Sequence, residues 1–185
     1  TLVEKCCHFF DLMRFIVKSE PVSVYASGGQ DVNHLDEEYD GKKPDIIDNA
    51  YVIVNFENGS RSMLELCMFA ENSEMQEELT ATGNIGKIET SVPSNESGKT
   101  TSDVRIGMRD GKIKQESISV DPKILEAGHH HGSTYYEHLA FINAVKNKLK
   151  PEVSLKDGLI AVAVGEAAET SIKLGRVVKL NEIIT

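Results

Sequence analysis

The sequence predicts an α+β fold: an open, mainly antiparallel β-sheet with helices packed on one face, the other face available for oligomerisation. Three observations carry this. The chain opens on a stretch whose apolar residues repeat with helical spacing. Its middle alternates with period two around Asn-Gly and Asp-Gly turns, and after Pro122 the period returns to 3.6.

In order, Val3 to Ile16 sets Val3, Cys6, Cys7, Phe9, Phe10, Leu12, Met13, Phe15 and Ile16 almost all round a helical wheel, which predicts a helix buried on most sides. It should end near Lys18, because Pro21 disfavours helix at Glu20. Pro21 to Ser27 reads as a strand that Gly28 and Gly29 break. Gln30 to Asp48 is polar and punctuated by Gly41 and Pro44; loops this long are functional or disordered. Asn49 to Phe56 and Arg61 to Ala70 flank Glu57-Asn58-Gly59-Ser60, a hairpin signature. In the first of these strands both alternating sets are apolar, Ala50, Val52, Val54 and Phe56 on one side and Tyr51 and Ile53 on the other. Such a strand needs a helix layer on one face and other cover on the second, for which a second subunit is the economical candidate.

Gln76 to Thr82 and Lys87 to Val92 form two more strands around Gly83-Asn84-Ile85-Gly86, and Pro93 to Ser102 reads as a mobile loop. Asp103 to Met108 and Lys112 to Val120 surround Asp110-Gly111 as a second hairpin, more polar and so toward an edge. Thr134 to Lys148 is helical, with Thr134-x-x-Glu137 as a capping box. Ser154-x-x-Asp157 opens a last helix that runs to about Leu174 and stops at Gly175. Its Ala- and Gly-rich interior permits close approach to a neighbour. Arg176 to Leu180 closes the chain as a short strand.

Composition narrows the function. The 185 residues carry 20 basic and 29 acidic side chains, a net charge of −9, which argues against a nucleic-acid partner. No stretch reaches the roughly 18 apolar residues needed to span a bilayer. Cys6, Cys7 and Cys67 lie in apolar segments and are odd in number, which suits buried free thiols of a reducing compartment, the cytoplasm. Thr1 stands immediately before a buried helix, so the chain is expected to be part of a longer protein whose remainder precedes it.

Three polar clusters could carry chemistry. Glu4, His8 and Asp11 fall on one stripe of the first helix, a pattern that suits a histidine whose tautomer and basicity are being set. An ordinary ion-paired helix face has the same spacing. Asp31, Asn33 and His34 follow the first strand. His129, His130, His131, Tyr136 and His138 surround the start of the penultimate helix, where imidazoles and phenols could grip a polyhydroxy or anionic ligand. A polar loop over a helix start explains the consecutive histidines better than a metal site, and no metal is expected. There is no G-x-G-x-x-G after a strand, so the chain does not bind a dinucleotide in the usual way by itself.

The order Glu4, His8, Asp11, then Glu20-Pro21-Val22 and a strand resembles the start of the C-terminal domain of the Gfo/Idh/MocA family, the glucose–fructose oxidoreductase and inositol dehydrogenase relatives. The likeness continues through NAYVIVNFENGSRSMLEL, GSTYYEHLAFINAV and DGLIAVAVGEAAETSIKLGRVVKL. It implies one C-terminal substrate-binding and oligomerisation domain over residues 1–185, fold-related to the C-terminal domains of dihydrodipicolinate and glucose–fructose oxidoreductases. A preceding Rossmann domain, absent from this chain, would hold NAD or NADP. It further implies hydride transfer at a hydroxyl of a sugar, inositol or related polyol, in a homodimer or homotetramer formed through the sheet face. His8 matches the family's acid/base histidine and Glu4 the acidic residue one turn earlier, usually Asp. Asp11, Asn33, His34, His131, Tyr136 and His138 are then expected around the substrate. The family's lysine, in a Lys-Pro motif, belongs to the nucleotide domain, so this piece alone should not catalyse. A different class remains open: a non-catalytic sugar- or metal-binding module of the same fold.

Overall fold

A computed structural model describes residues 1–94, 97–126 and 130–184. In chain order its elements are α1 (Cys7–Val17), β1 (Pro21–Gly29), β2 (Asn49–Phe56), β3 (Arg61–Cys67), β4 (Met75–Thr82), β5 (Gly86–Pro93), β6 (Thr101–Met108) and β7 (Ile113–Ser119). There follow α2 (Pro122–Glu126), a 3-10 turn at His130–Gly132, α3 (Ser133–Asn147), α4 (Leu155–Leu174), β8 (Val178–Lys179) and a 3-10 turn at Leu180–Glu182. The chain divides into two compact units, Thr1–Ala70 with Val153–Thr185, and Glu71–Glu152.

In the first unit the strands form an antiparallel sheet in the order β3-β2-β1-β8. Alternate residues of the central pair, Val24, Ala26, Ala50, Val52, Val54 and Phe56, turn to one side and are buried there. They meet Ala163, Val164, Ala167 and Ala168 of α4, together with Leu2, Cys6, Phe10, Val178 and Leu180. Small residues bring α4 close. Ser171, fully buried, accepts the Ala26 amide at 2.9 Å and donates to the Arg176 carbonyl at 2.6 Å, so one hydroxyl joins α4 to β1 and to the approach of β8. The opposite face leaves Tyr25, Tyr51, Ile53 and Met63 exposed.

The second unit is an antiparallel meander in the order β4-β5-β6-β7, followed by α2 and α3. Every residue of β7 is exposed, which agrees with an edge position. The eight strands are therefore shared between two four-stranded sheets, where the sequence suggested one. Alternation reports which side of a strand is buried and says nothing about which strand lies beside it.

Several local expectations change. The strand β1 continues through Gly28 and Gly29, because Gly28 pairs with Ala50 across the ladder. A Cβ on Gly28 would lie 2.4 Å from the Asn49 carbonyl oxygen, so glycine permits this pairing where it was expected to end the strand. The helix α1 begins at Cys7, four residues later than the apolar pattern, and buries only Phe10. Phe15 is 74% exposed and Ile16 47%, since α1 packs mainly on α4 and its outer flank is open. Cys6 is buried, and burial pushes its thiol up to about 11; Cys7 is half-buried and Cys67, at the end of β3, is exposed. The Thr134–Glu137 capping box does not form. α3 starts one residue earlier, behind Gly132 at φ 84°, where a Cβ would meet the Ile124 side chain at 2.6 Å. The Ser154–Asp157 box forms as expected, with reciprocal bonds of 3.3 and 2.8 Å. Among the described residues no helix is long and apolar enough to cross a membrane.

Candidate active site

The sequence-predicted residues fall in both units. Glu4, His8, Asp11, Asn33 and His34 belong to the first, and His131, Tyr136 and His138 to the second.

The first group starts at the turn before α1. Glu169 of α4 accepts the Leu2 amide at 3.2 Å, which holds this segment against α4. Gly165, one turn earlier on α4, makes room for it: a Cβ there would lie 2.8 Å from the Leu2 carbonyl oxygen and from Val3 Cα. The segment carrying Glu4 is a turn closed by the Lys5 amide on the Thr1 carbonyl at 2.9 Å, and the helix starts only after it. Glu4 and His8 are both exposed, and the His8 ring lies 4.2 Å from that of Phe9 at 44°. The imidazole therefore stands where a solute can reach it.

Asp11 is engaged elsewhere. It accepts from Arg14 Nη1 at 3.0 Å, and the same guanidinium bonds Glu20 at 2.9 and 3.1 Å and Asp157 at 3.2 and 3.3 Å. The Arg14 side chain is 10% exposed, so three carboxylates compensate one nearly buried cation. Hydrogen bonding to Glu20, then the charges of Glu20 and Asp157, raise the Arg14 pKa against the opposing effect of burial. Asp157 is held down at about 2, first by the Ser154 hydroxyl and amide and then by Arg14.

The loop after β1 is ordered by a residue that sequence reasoning passed over. Asp48, fully buried at the start of β2, accepts the consecutive amides of Asp31, Val32 and Asn33 at 3.0, 2.8 and 2.7 Å, and Asn49 Nδ2 at 2.9 Å. Burial alone would push its carboxyl up; the four donors reverse this and hold it well below the usual carboxylate range. Asn33 turns its side-chain amide to the Met68 carbonyl at 2.9 Å. His34, at φ 61°, hydrogen-bonds Glu37 through Nδ1 at 2.9 Å, and Tyr39 donates to the other Glu37 oxygen at 2.8 Å. The bond from His34, then that from Tyr39, lowers the Glu37 pKa.

In the second unit His131 places Nε2 2.9 Å from the Pro93 carbonyl, and His138 places Nδ1 2.7 Å from the Thr134 carbonyl. Each of these nitrogens donates to the carbonyl it faces. Tyr136 is half-exposed and meets Tyr135 edge-on, with ring centres 5.7 Å apart. His129 lies outside the described residues, as do Asn95 and Glu96 of the loop expected after β5. Among the described residues no three His, Cys, Asp or Glu are grouped to hold a metal ion.

Arg14 and Asp48 are what the sequence reasoning missed. Asp11-x-x-Arg14 is an ion-pair spacing visible in the sequence, whereas a lone acid before a strand carries no pattern.

The chain belongs to the Gfo/Idh/MocA oxidoreductase family: residues 1–180 match its C-terminal alpha/beta domain, as the resemblance implied. Solved structures share the fold. An oxidoreductase from Agrobacterium radiobacter, solved with NAD+, L-tartaric acid and magnesium, matches 98% of this chain and 49% of its own at 17% identity and a TM-score of 0.70. A probable dehydrogenase from Thermotoga maritima matches 99% and 50% at 24% identity and a TM-score of 0.60. Levoglucosan dehydrogenase, solved with NADH and levoglucosan, matches 96% and 49% at 18% identity and a TM-score of 0.70. The chain spans about half the length of these proteins. No curated protein matches it.

Proposed function

We propose that this chain is the substrate-binding and oligomerisation domain of an NAD(P)-dependent oxidoreductase that acts on a hydroxyl of a sugar, inositol or related polyol. The family match over residues 1–180, with His8 exposed on the first helix, carries the proposal. The sugar and hydroxy-acid ligands named for the solved neighbours support the substrate class.

The residues present do not cradle the cofactor. Both sheets are antiparallel, and Gly83-Asn84-Ile85-Gly86 is the hairpin turn between β4 and β5, so the described residues hold no strand, glycine turn and helix for a pyrophosphate. A nucleotide-binding domain outside this chain holds NAD or NADP. When bound, the nicotinamide supplies the hydride acceptor or donor. His8 handles the proton: as the alcohol carbon loses hydride, the neutral imidazole takes the hydroxyl proton, and it returns it in the reverse reaction. Glu4 sets the charge around the imidazole, and Asn33 and His34, in the same unit as His8, meet substrate hydroxyls. The exposed Tyr25, Tyr51, Ile53 and Met63 face supports a homodimer or homotetramer, and the thiols suit the cytoplasm.

The test is a panel of aldoses and inositols offered to the full-length protein with NAD+ and NADP+, followed at the nicotinamide absorbance. Turnover of at least one polyol is expected. Sugar binding without turnover of any would favour the non-catalytic module.

A further inference from the structure

We propose that Arg14 is a positioning residue for His8, fixing the catalytic helix on α4 and holding Asp11 to itself. The inference rests on the acid/base reading of His8. Its grounds are geometric. Arg14 joins three separate points of the backbone: Asp11 on α1 at 3.0 Å, Glu20 in the turn into β1 at 2.9 Å, and Asp157 at the start of α4 at 3.2 Å. Asp157 is itself fixed, since it accepts the Ser154 amide at 2.8 Å in the α4 capping box. The other end of α1 is held by the same helix, through Glu169 on the Leu2 amide and the close seat of Leu2 and Val3 on Gly165.

The helix bearing His8 is thus tied to α4 before its first turn and again at its last. That double attachment suits a function more than stability alone. α1 is otherwise open to solvent on its outer flank, with Phe15 and Ile16 exposed. Phe10, with Phe9, Met13 and Val17 beside it, seats α1 on the core, and the polar ties fix its placement on that seat, where a displacement of about 1 Å at a reacting group can cost roughly 10²-fold in rate. Arg14 touches no substrate in this scheme, so its loss acts on the chemical step and not on affinity.

The experiment is a double-mutant cycle in the full-length enzyme with the best polyol of the panel. Arg14→Met should lower kcat by about 10–100-fold with KM within about threefold. In a His8→Ala background the same change should lower the remaining kcat by less than about twofold, because the group being positioned is gone. Equal losses in both backgrounds, or a folded Arg14→Met enzyme with unchanged kcat and a lower Tm, would leave Arg14 a purely structural clamp and overturn the proposal. Should Arg14→Met not fold, Arg14→Lys and Asp157→Asn decide, since each keeps part of the network. Both are expected to lose kcat, Arg14→Lys less than tenfold, and wild-type kcat in both refutes the inference. An unchanged kcat in His8→Ala alone is a different failure, that of the acid/base reading itself.

Discussion

The seat of the N-terminal turn on α4 can be tested with two glycines of the same helix. Gly158 and Gly165 both lie within Leu155–Leu174, so replacing either by alanine gains up to about 1 kcal/mol of helix propensity. Their surroundings differ. A Cβ at Gly158 meets nothing within 4 Å, whereas at Gly165 it would lie 2.8 Å from Leu2 O and Val3 Cα and 3.0 Å from Leu2 C. All three obstacles are backbone, so relief requires moving the turn or the helix. Overpacking of this kind costs about 1–3 kcal/mol, and rigid backbone neighbours put it toward the upper end. Gly158→Ala should therefore stabilise slightly and Gly165→Ala destabilise by about 1–2 kcal/mol. The gap of about 2–3 kcal/mol corresponds to about 4–12 °C in Tm for a domain of this size. Urea titration of the chain, with both variants extrapolated at a common slope, reads the gap directly. If Gly165→Ala proves as stable as Gly158→Ala, α4 does not grip the segment before α1, and the placement of His8 loses that support.

Other outcomes follow from the buried polar groups. Ser171→Ala leaves the Ala26 amide and the Arg176 carbonyl without their shared partner and should cost about 1–3 kcal/mol in the same titration. Asp48→Asn replaces an acceptor of several amides by a weaker one, and the Asp31, Val32 and Asn33 amides should exchange with solvent at least about tenfold faster, while those of β2 barely change. Acid should unfold the chain in a defined window. Asp157 and Glu182, the latter held mainly by Arg176, are each down at about 2, and Asp48 is also lowered. Their contribution is complete above the ordinary carboxylate values and is lost as pH falls through the folded ones, so stability should decline from about pH 4 to about pH 2. Over that window Asp157→Asn should flatten the decline, and an unchanged slope would remove Asp157 from the account.

Much of the fold was legible because its signals are local. Asn49–Phe56 matches from end to end, since its alternation and the Gly59 turn at φ 81° are set by neighbours in sequence. The last helix matches from its Ser154 cap to Gly175 at φ 63° for the same reason. What could not be read depends on distant partners. Gly28 reads as a strand breaker, yet the close Asn49 carbonyl is what its missing side chain admits; Cys67 reads as buried, yet it lies on the open face of β3 with Met63 and Glu65. The division into two sheets lies in strand pairing, which alternation does not encode. For the site, the helix bearing His8 and the Asp11 spacing were visible, but the Arg14 clamp draws on Glu20 and Asp157, the second 143 positions away. Asp48 acts through backbone amides, which have no sequence signature.

The central claim is that His8 exchanges the proton of the reacting hydroxyl. The most direct measurement is kcat of His8→Ala in the full-length protein, at saturating polyol and cofactor, followed at the nicotinamide absorbance. The account predicts a fall of about 10²–10⁴-fold in a variant with wild-type Tm. A kcat equal to that of the wild type would contradict it.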